Sequence, residues 1–230
     1  MTRPVLLIHG AYQGGWIWRE LAARLRATGH RVLAPSLDGC AERRAALRPG
    51  ITTESQAEEL AGLLFHEDLH GVVLVGTSVG GMVACKTAEL ARERVARLVL
   101  VDALALRDGE RLADVVSRRP GERTELAAGP TREDAETRLF AELDPVTRAW
   151  ALARYSLHPV AALEAPVALP AFWRARWDAT VIHCRRSANP PEAHQRRTAD
   201  ALGARWHQLD TGHYPMLSAP DALAGLIAAA

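Results

Sequence analysis

The 230-residue chain contains a single lysine, Lys86, so nearly every cation is arginine. With abundant alanine, this is the coding bias of a high-GC bacterium and carries no functional message. Excess charge is lacking too: Lys+Arg is 28 against Asp+Glu 27, a net charge of +1. Such a balance leaves no basic field to hold nucleic acid or an anionic membrane. Cysteine is scarce. Cys40, Cys85 and Cys184 are odd in number and far apart, without CxxC spacing, which argues against a disulfide framework or a thiolate zinc site. Apolar runs stay far below the roughly 20 residues that span a bilayer. The run ending at His9 is too short for a signal-peptide core, making the cytoplasm the default compartment. A Gly-x-Gly-x-x-Gly loop after the first strand and clusters with metal-ligand spacing are also lacking, so the chemistry should need no cofactor and no metal.

What is present is an alternation of short apolar runs with amphipathic stretches. Strands are expected at Val5–Ile8, 31–34, 72–75, 98–101, 180–183 and 204–209. Their continuous apolarity suits parallel strands covered on both faces. Helices are expected at 18–27, 54–65, 79–93 and 219–229, the second opened by a capping box of Thr53 and Gln56. This rhythm predicts an α/β fold: an open, mostly parallel sheet with helices on both faces. Residues 103–175 break the rhythm. They are rich in Arg and Glu, punctuated by prolines such as Pro120, Pro130, Pro145, Pro159 and Pro166, and read as a helical cap inserted into a core of 1–102 and 176–230.

Three motifs carry chemistry. In Gly76-Thr77-Ser78-Val79-Gly80, a buried strand runs straight into a small-residue helix. That spacing lifts a serine hydroxyl above the sheet edge on a strained turn, with glycines where side chains would collide. The bland alternative is a glycine-rich turn whose serine caps the helix, and the flanking strand and helix weigh against it. Next, His9-Gly10-Ala11 follows the first strand, so the amides of Ala11 and Val79 are the candidate oxyanion donors. His9 itself reads as a buried brace for that loop. Finally, Gly212-His213-Tyr214-Pro215 follows the last strand, where His213 could reach Ser78 as the base.

Together these segments, with Leu98-Val99-Leu100-Val101-Asp102-Ala103, resemble the α/β-hydrolase superfamily over essentially the whole chain. More narrowly they resemble its small branch of plant methylesterases, hydroxynitrile lyases and bacterial esterase-like relatives. The resemblance implies a Ser-His-acid triad, a helical cap roofing the pocket and an ester substrate. It also exposes a departure. The family places its acid after the penultimate strand, where this chain reads Cys184-Arg185-Arg186-Ser187-Ala188-Asn189, with Ser187 in the acid's place. Three explanations stand open: Asp102 supplies the acid from the end of the preceding strand; a neutral group such as Ser187 or Asn189 holds the histidine; or His213 is a lone general base for a lyase, cyclase or isomerase of secondary metabolism. A ligand-binding protein without catalysis is a further alternative, opposed by the retention of Ser78 and His213. The lysine and threonine on which hydroxynitrile lyases rely are replaced by Tyr214 and Ala11, which speaks against cyanohydrin cleavage. Tyr12, Trp150 and Tyr155 are the expected substrate-binding aromatics, for a small molecule of apolar or aromatic character. A homodimer is possible on this reading.

Overall fold

The computed structural model describes residues 2–117 and 119–229. In chain order its elements are β1 (Val5–Ile8), α1 (Arg19–Ala27), β2 (Val32–Leu33), α2 (Thr53–His66), β3 (Val72–Ser78), α3 (Gly80–Leu90) and β4 (Val95–Ala103). Then come β5 (Glu122–Arg123), β6 (Ala127–Gly129), α4 (Arg132–Asp134), α5 (Pro145–Leu152), β7 (His158–Pro159) and α6 (Val160–Glu164). The chain closes with β8 (Ala179–Cys184), α7 (Glu192–Leu202), β9 (Arg205–Leu209), α8 (Pro215–Ser218) and α9 (Pro220–Ala229). Six strands form one parallel sheet in the order β2-β1-β3-β4-β8-β9.

The continuous apolar runs resolve into two faces once the period of two is applied. Leu6, Ile8, Leu74, Leu98 and Leu100 pack with residues of α2 and α3 on one side. Val5, Leu7, Val73, Val75, Val99 and Val101 pack with α1 and α9 on the other. Both sets are buried, which is why these strands carry almost no polar residue before their C-terminal ends.

Several boundaries differ from the sequence reading for identifiable reasons. The cap of α2 lies one residue earlier: Thr52 accepts from the Ser55 amide, and Ser55 Oγ accepts from the Thr52 amide at 2.9 Å. Gln56 is instead buried and donates to the Asp38 carbonyl at 3.0 Å. The helix α3 stops at Leu90 rather than 93, because Ala91 to Arg94 turn back into β4. Between β4 and β8 the chain is not purely helical. A small antiparallel sheet, β5-β6-β7, accompanies the helices. Its strands are two or three residues long, built from Ala, Gly, charged residues and a proline, and show no β-branched run for a sequence reading to find.

Two buried histidines give the fold an acid sensitivity. His9 is fully buried; its Nε2 accepts from the Leu37 amide at 2.9 Å and its Nδ1 donates to the Gly10 carbonyl. Desolvation brings its pKa down to about 4. His194, faced by the Ala105 amide and the Arg197 guanidinium, is lowered to about 4 by burial first and Arg197 second. Between about pH 6.5 and 4 the unfolded chain therefore takes up protons that the native chain refuses, and stability falls with pH. We expect the melting temperature to drop steeply below about pH 6.5, and a His9→Gln, His194→Gln double variant to flatten that slope in a pH series of thermal melts.

Candidate active site

The turn at Ser78 is a steric construction. Ser78 ends β3 in the left-handed region at φ 52°, a conformation an L-residue adopts only when its surroundings impose it. A Cβ on Gly76 would lie 2.6 Å from the Gly80 carbonyl oxygen, and one on Gly80 would run into the carbonyls of Ile8 and His9. Gly10 is equally constrained, since its Cβ would sit 2.8 Å from that of Ser78. These glycines let β1, β3 and α3 approach until the Ser78 side chain faces a cavity of about 510 Å³ at the C-terminal edge of the sheet. Ala11 and Val79 line the same cavity, and among the described residues neither backbone amide donates to a protein acceptor. Val79 caps the 11-residue α3, whose positive end lies beneath the serine.

The neighbouring strand delivers Asp102 by a register slip. Thr77 pairs with Val101, but Ser78 pairs with Ala103, leaving Asp102 as the extra residue of a bulge with φ 43°. Its carboxylate is fully buried. Oδ2 accepts from His213 Nδ1 at 2.6 Å, while Oδ1 accepts from Gln195 Nε2 at 2.7 Å. His213 stands on the loop between β9 and α8 and lines the cavity with Ser78. Among the described residues no hydrogen bond joins those two side chains. Because Nδ1 is held by Asp102, the other imidazole nitrogen, Nε2, is the one left for a partner in the cavity.

That loop is pinned by Glu142, from the stretch between β4 and β8. A side chain at Gly212 would overlap the Glu142 carboxylate, whose Oε1 accepts from the Tyr214 amide at 3.0 Å. Tyr214 is wholly buried against Phe140, with ring centroids 5.0 Å apart, and burial raises its phenol well above the ordinary tyrosine value.

Ser187 lies at the cavity wall, but its hydroxyl donates to the Asn189 carbonyl at 2.9 Å. The Nδ1 of His213 is turned to Asp102 instead. Of the expected substrate-binding aromatics, Tyr12 lines the cavity and the other two do not. Trp150 packs edge-on to Trp16 at 5.1 Å, with the guanidinium groups of Arg19 and Arg154 against its ring. Tyr155 spends its hydroxyl on the Pro130 carbonyl at 2.5 Å. The cavity is lined instead by Leu104, Leu112, Val116, Leu139 and Leu163, with Asp134, Arg138, Glu142 and Arg186 toward its polar parts.

Two residues were missed from sequence: Gln195 and Glu142. The signal for Gln195 was the polar buried face of α7, where His194, Gln195 and Thr198 all point inward. Glu142 had no local signal, since it sits in an irregular turn. The three thiols are buried, and desolvation raises each of them, Cys40 to about 12, which disfavours the thiolate form. Among the described residues no group of three or more His, Cys, Asp or Glu is arranged to hold a metal, and no helix is long and apolar enough to cross a membrane.

Relatives match this architecture. A carbendazim-hydrolysing esterase of Nocardioides sp. (strain SG-4G) is 38% identical over 107 residues, 46% of this chain and 44% of that protein. The lipase LipV of Mycobacterium tuberculosis is 34% identical over 141 residues, 61% of this chain and 52% of its own length. The chain thus spans about half the length of these curated relatives. Methylesterases of Arabidopsis thaliana match as well. In three dimensions, an extracellular alpha/beta-hydrolase from a Paenibacillus species superposes with a TM-score of 0.85 at 20% identity, over 99% of this chain and 98% of that one. That protein shares structural and functional homology with tobacco salicylic acid binding protein 2; at this identity the likeness to the present chain is one of fold. Residues 5–226 match the model of the alpha/beta hydrolase family, and the chain belongs to that family.

Proposed function

We propose that the protein is a cofactor-free carboxylic-ester hydrolase in which Ser78 is the nucleophile, His213 the base and Asp102 the acid. The observation that carries this reading is the 2.6 Å contact between His213 Nδ1 and a fully buried Asp102, on the cavity wall shared with Ser78. The names of the matched relatives, an esterase, a lipase and methylesterases, support hydrolysis of an ester or a related acyl group.

In this mechanism Ser78 Oγ attacks the acyl carbonyl while His213 Nε2 takes its proton. The imidazolium so formed is stabilised by the carboxylate of Asp102, whose other oxygen accepts from Gln195. The Ala11 and Val79 amides and the α3 N-terminus hold the oxyanion. His213 then returns the proton to the leaving alkoxide, and water repeats the sequence on the acyl-enzyme. Residues 103–175 serve as the cap, bringing Leu112, Val116, Leu139 and Leu163 over the serine. A cavity of about 510 Å³ with those walls suits a small, largely apolar ester. An acid in contact with the histidine weighs against the reading of His213 as a lone base in a lyase or cyclase. It weighs equally against Ser187 as the group that replaces the acid.

Turnover of aryl and methyl esters with short to medium acyl chains tests this. Ser78→Ala is expected to lower kcat by about 10⁵-fold or more with little change in the melting temperature. Equal turnover in the variant would remove Ser78 from the chemistry.

A further inference from the structure

Asp102 has two oxygens, and Oδ2 is the one that meets His213. The other, Oδ1, accepts from Gln195 Nε2 at 2.7 Å and lies 3.4 Å from the Cys184 amide. Gln195 is fully buried on α7, and the same Nε2 lies 3.1 Å from the Pro190 carbonyl. Both the carboxylate and that carbonyl only accept hydrogen bonds. The amide group is thereby forced to present its NH₂ end to them, and its Oε1 is left buried and without a partner. An orphaned acceptor in a buried site is destabilising, and a side chain serving only to fill space would not leave one.

We propose that Gln195 is a positioning residue for the ester-hydrolase reading on which this inference rests. By holding Oδ1 it turns Oδ2 toward His213, and its N–H gives the buried carboxylate a second hydrogen bond. The acid in this chain stands on β4 instead of on the loop after β8, so it needs an anchor at the new place, and α7 supplies one. The other titratable groups around it are His183 of β8, with Nδ1 3.2 Å from Gln195 Nε2 and 3.8 Å from Asp102 Oδ1, and Glu192 of α7, 3.7 Å from His183 Nε2. Cys184 ends β8 beside them, with its thiol raised by burial first and by Asp102 second.

The test compares the pH profiles of Gln195→Leu and Gln195→Glu with wild type on one aryl ester. Loss of the donor makes the ionised carboxylate less favourable, so the pair formed by Asp102 and His213 holds its proton to higher pH. In Gln195→Leu we expect kcat to fall about 10- to 100-fold, KM to change less than about twofold, and the acidic limb of kcat/KM to move up by about half a unit to one unit. In Gln195→Glu, a nearly isosteric change, the new carboxyl donates to Asp102 while the two share one proton. It should therefore recover part of the lost rate toward the acidic side and lose it as pH rises. An unchanged limb in Gln195→Leu, with the rate lowered or not, overturns the positioning role, as does a Gln195→Glu variant no better than Gln195→Leu at any pH. A wild-type protein inactive on every ester would instead bring down the hydrolase reading, whereas an active wild type crippled by Asp102→Asn but indifferent to Gln195→Leu would overturn this inference alone.

Discussion

Asp102→Asn is expected to lower kcat by about three to four orders of magnitude while KM stays within about threefold. The substitution preserves shape and alters two things. An asparagine cannot stabilise the imidazolium by charge. It also turns an NH₂ either toward His213, favouring the wrong tautomer, or toward Gln195, whose own NH₂ is fixed by the Pro190 carbonyl. Both orientations set donor against donor. The comparison that gives the result its meaning is Ser187→Ala, expected to cost less than tenfold, since that hydroxyl is occupied by the Asn189 carbonyl. A reversed order, with Ser187→Ala crippling and Asp102→Asn mild, would return the acid's role to the loop after β8.

The second large effect is on folding. Gly80→Ala places a methyl group against the carbonyl oxygens of Ile8 and His9, both main-chain atoms of a buried segment that cannot swing aside. Overpacking in a core costs about 1–3 kcal/mol where side chains can yield, and here nothing yields, so a loss of about 3 kcal/mol or more is expected. For a chain of this size that corresponds to roughly 6–12 °C in melting temperature. Gly62→Ala in α2, at a half-buried position where a Cβ meets nothing within 4 Å, should be neutral or slightly stabilising and serves as the control in the same thermal melts.

The strands of the sheet were legible because buried parallel strands must be apolar on both faces, and runs such as Val72 to Val75 announce themselves without context. The elbow was legible for a different reason: Gly76 and Gly80 are demanded by contacts too close for any side chain, and such demands leave a fixed spacing. The placement of Asp102 was harder to read. It is set by a register slip between Thr77 and Ser78, and a bulge of one residue leaves no mark in a run that reads Leu-Val-Leu-Val-Asp-Ala. Its partner Gln195 is 93 residues away, and Glu142 meets the histidine loop across 72. Trp150 and Tyr155 do not line the cavity, because aromatic content says that a side chain packs against others, not which cavity it reaches. The small sheet of β5, β6 and β7 was invisible because its strands are held by their neighbours rather than by their own composition.

The central claim is an activated serine at position 78, and intact-mass measurement after treatment with a fluorophosphonate tests it most directly. The serine hydroxyl displaces fluoride from phosphorus only when a base removes its proton, so the reagent reports on Ser78 and His213 together without needing the natural substrate. One phosphonyl adduct on the wild type, absent from Ser78→Ala and greatly slowed in Asp102→Asn, is the predicted result. A folded wild type that gains no adduct, or a Ser78→Ala variant that gains the same one, would contradict it.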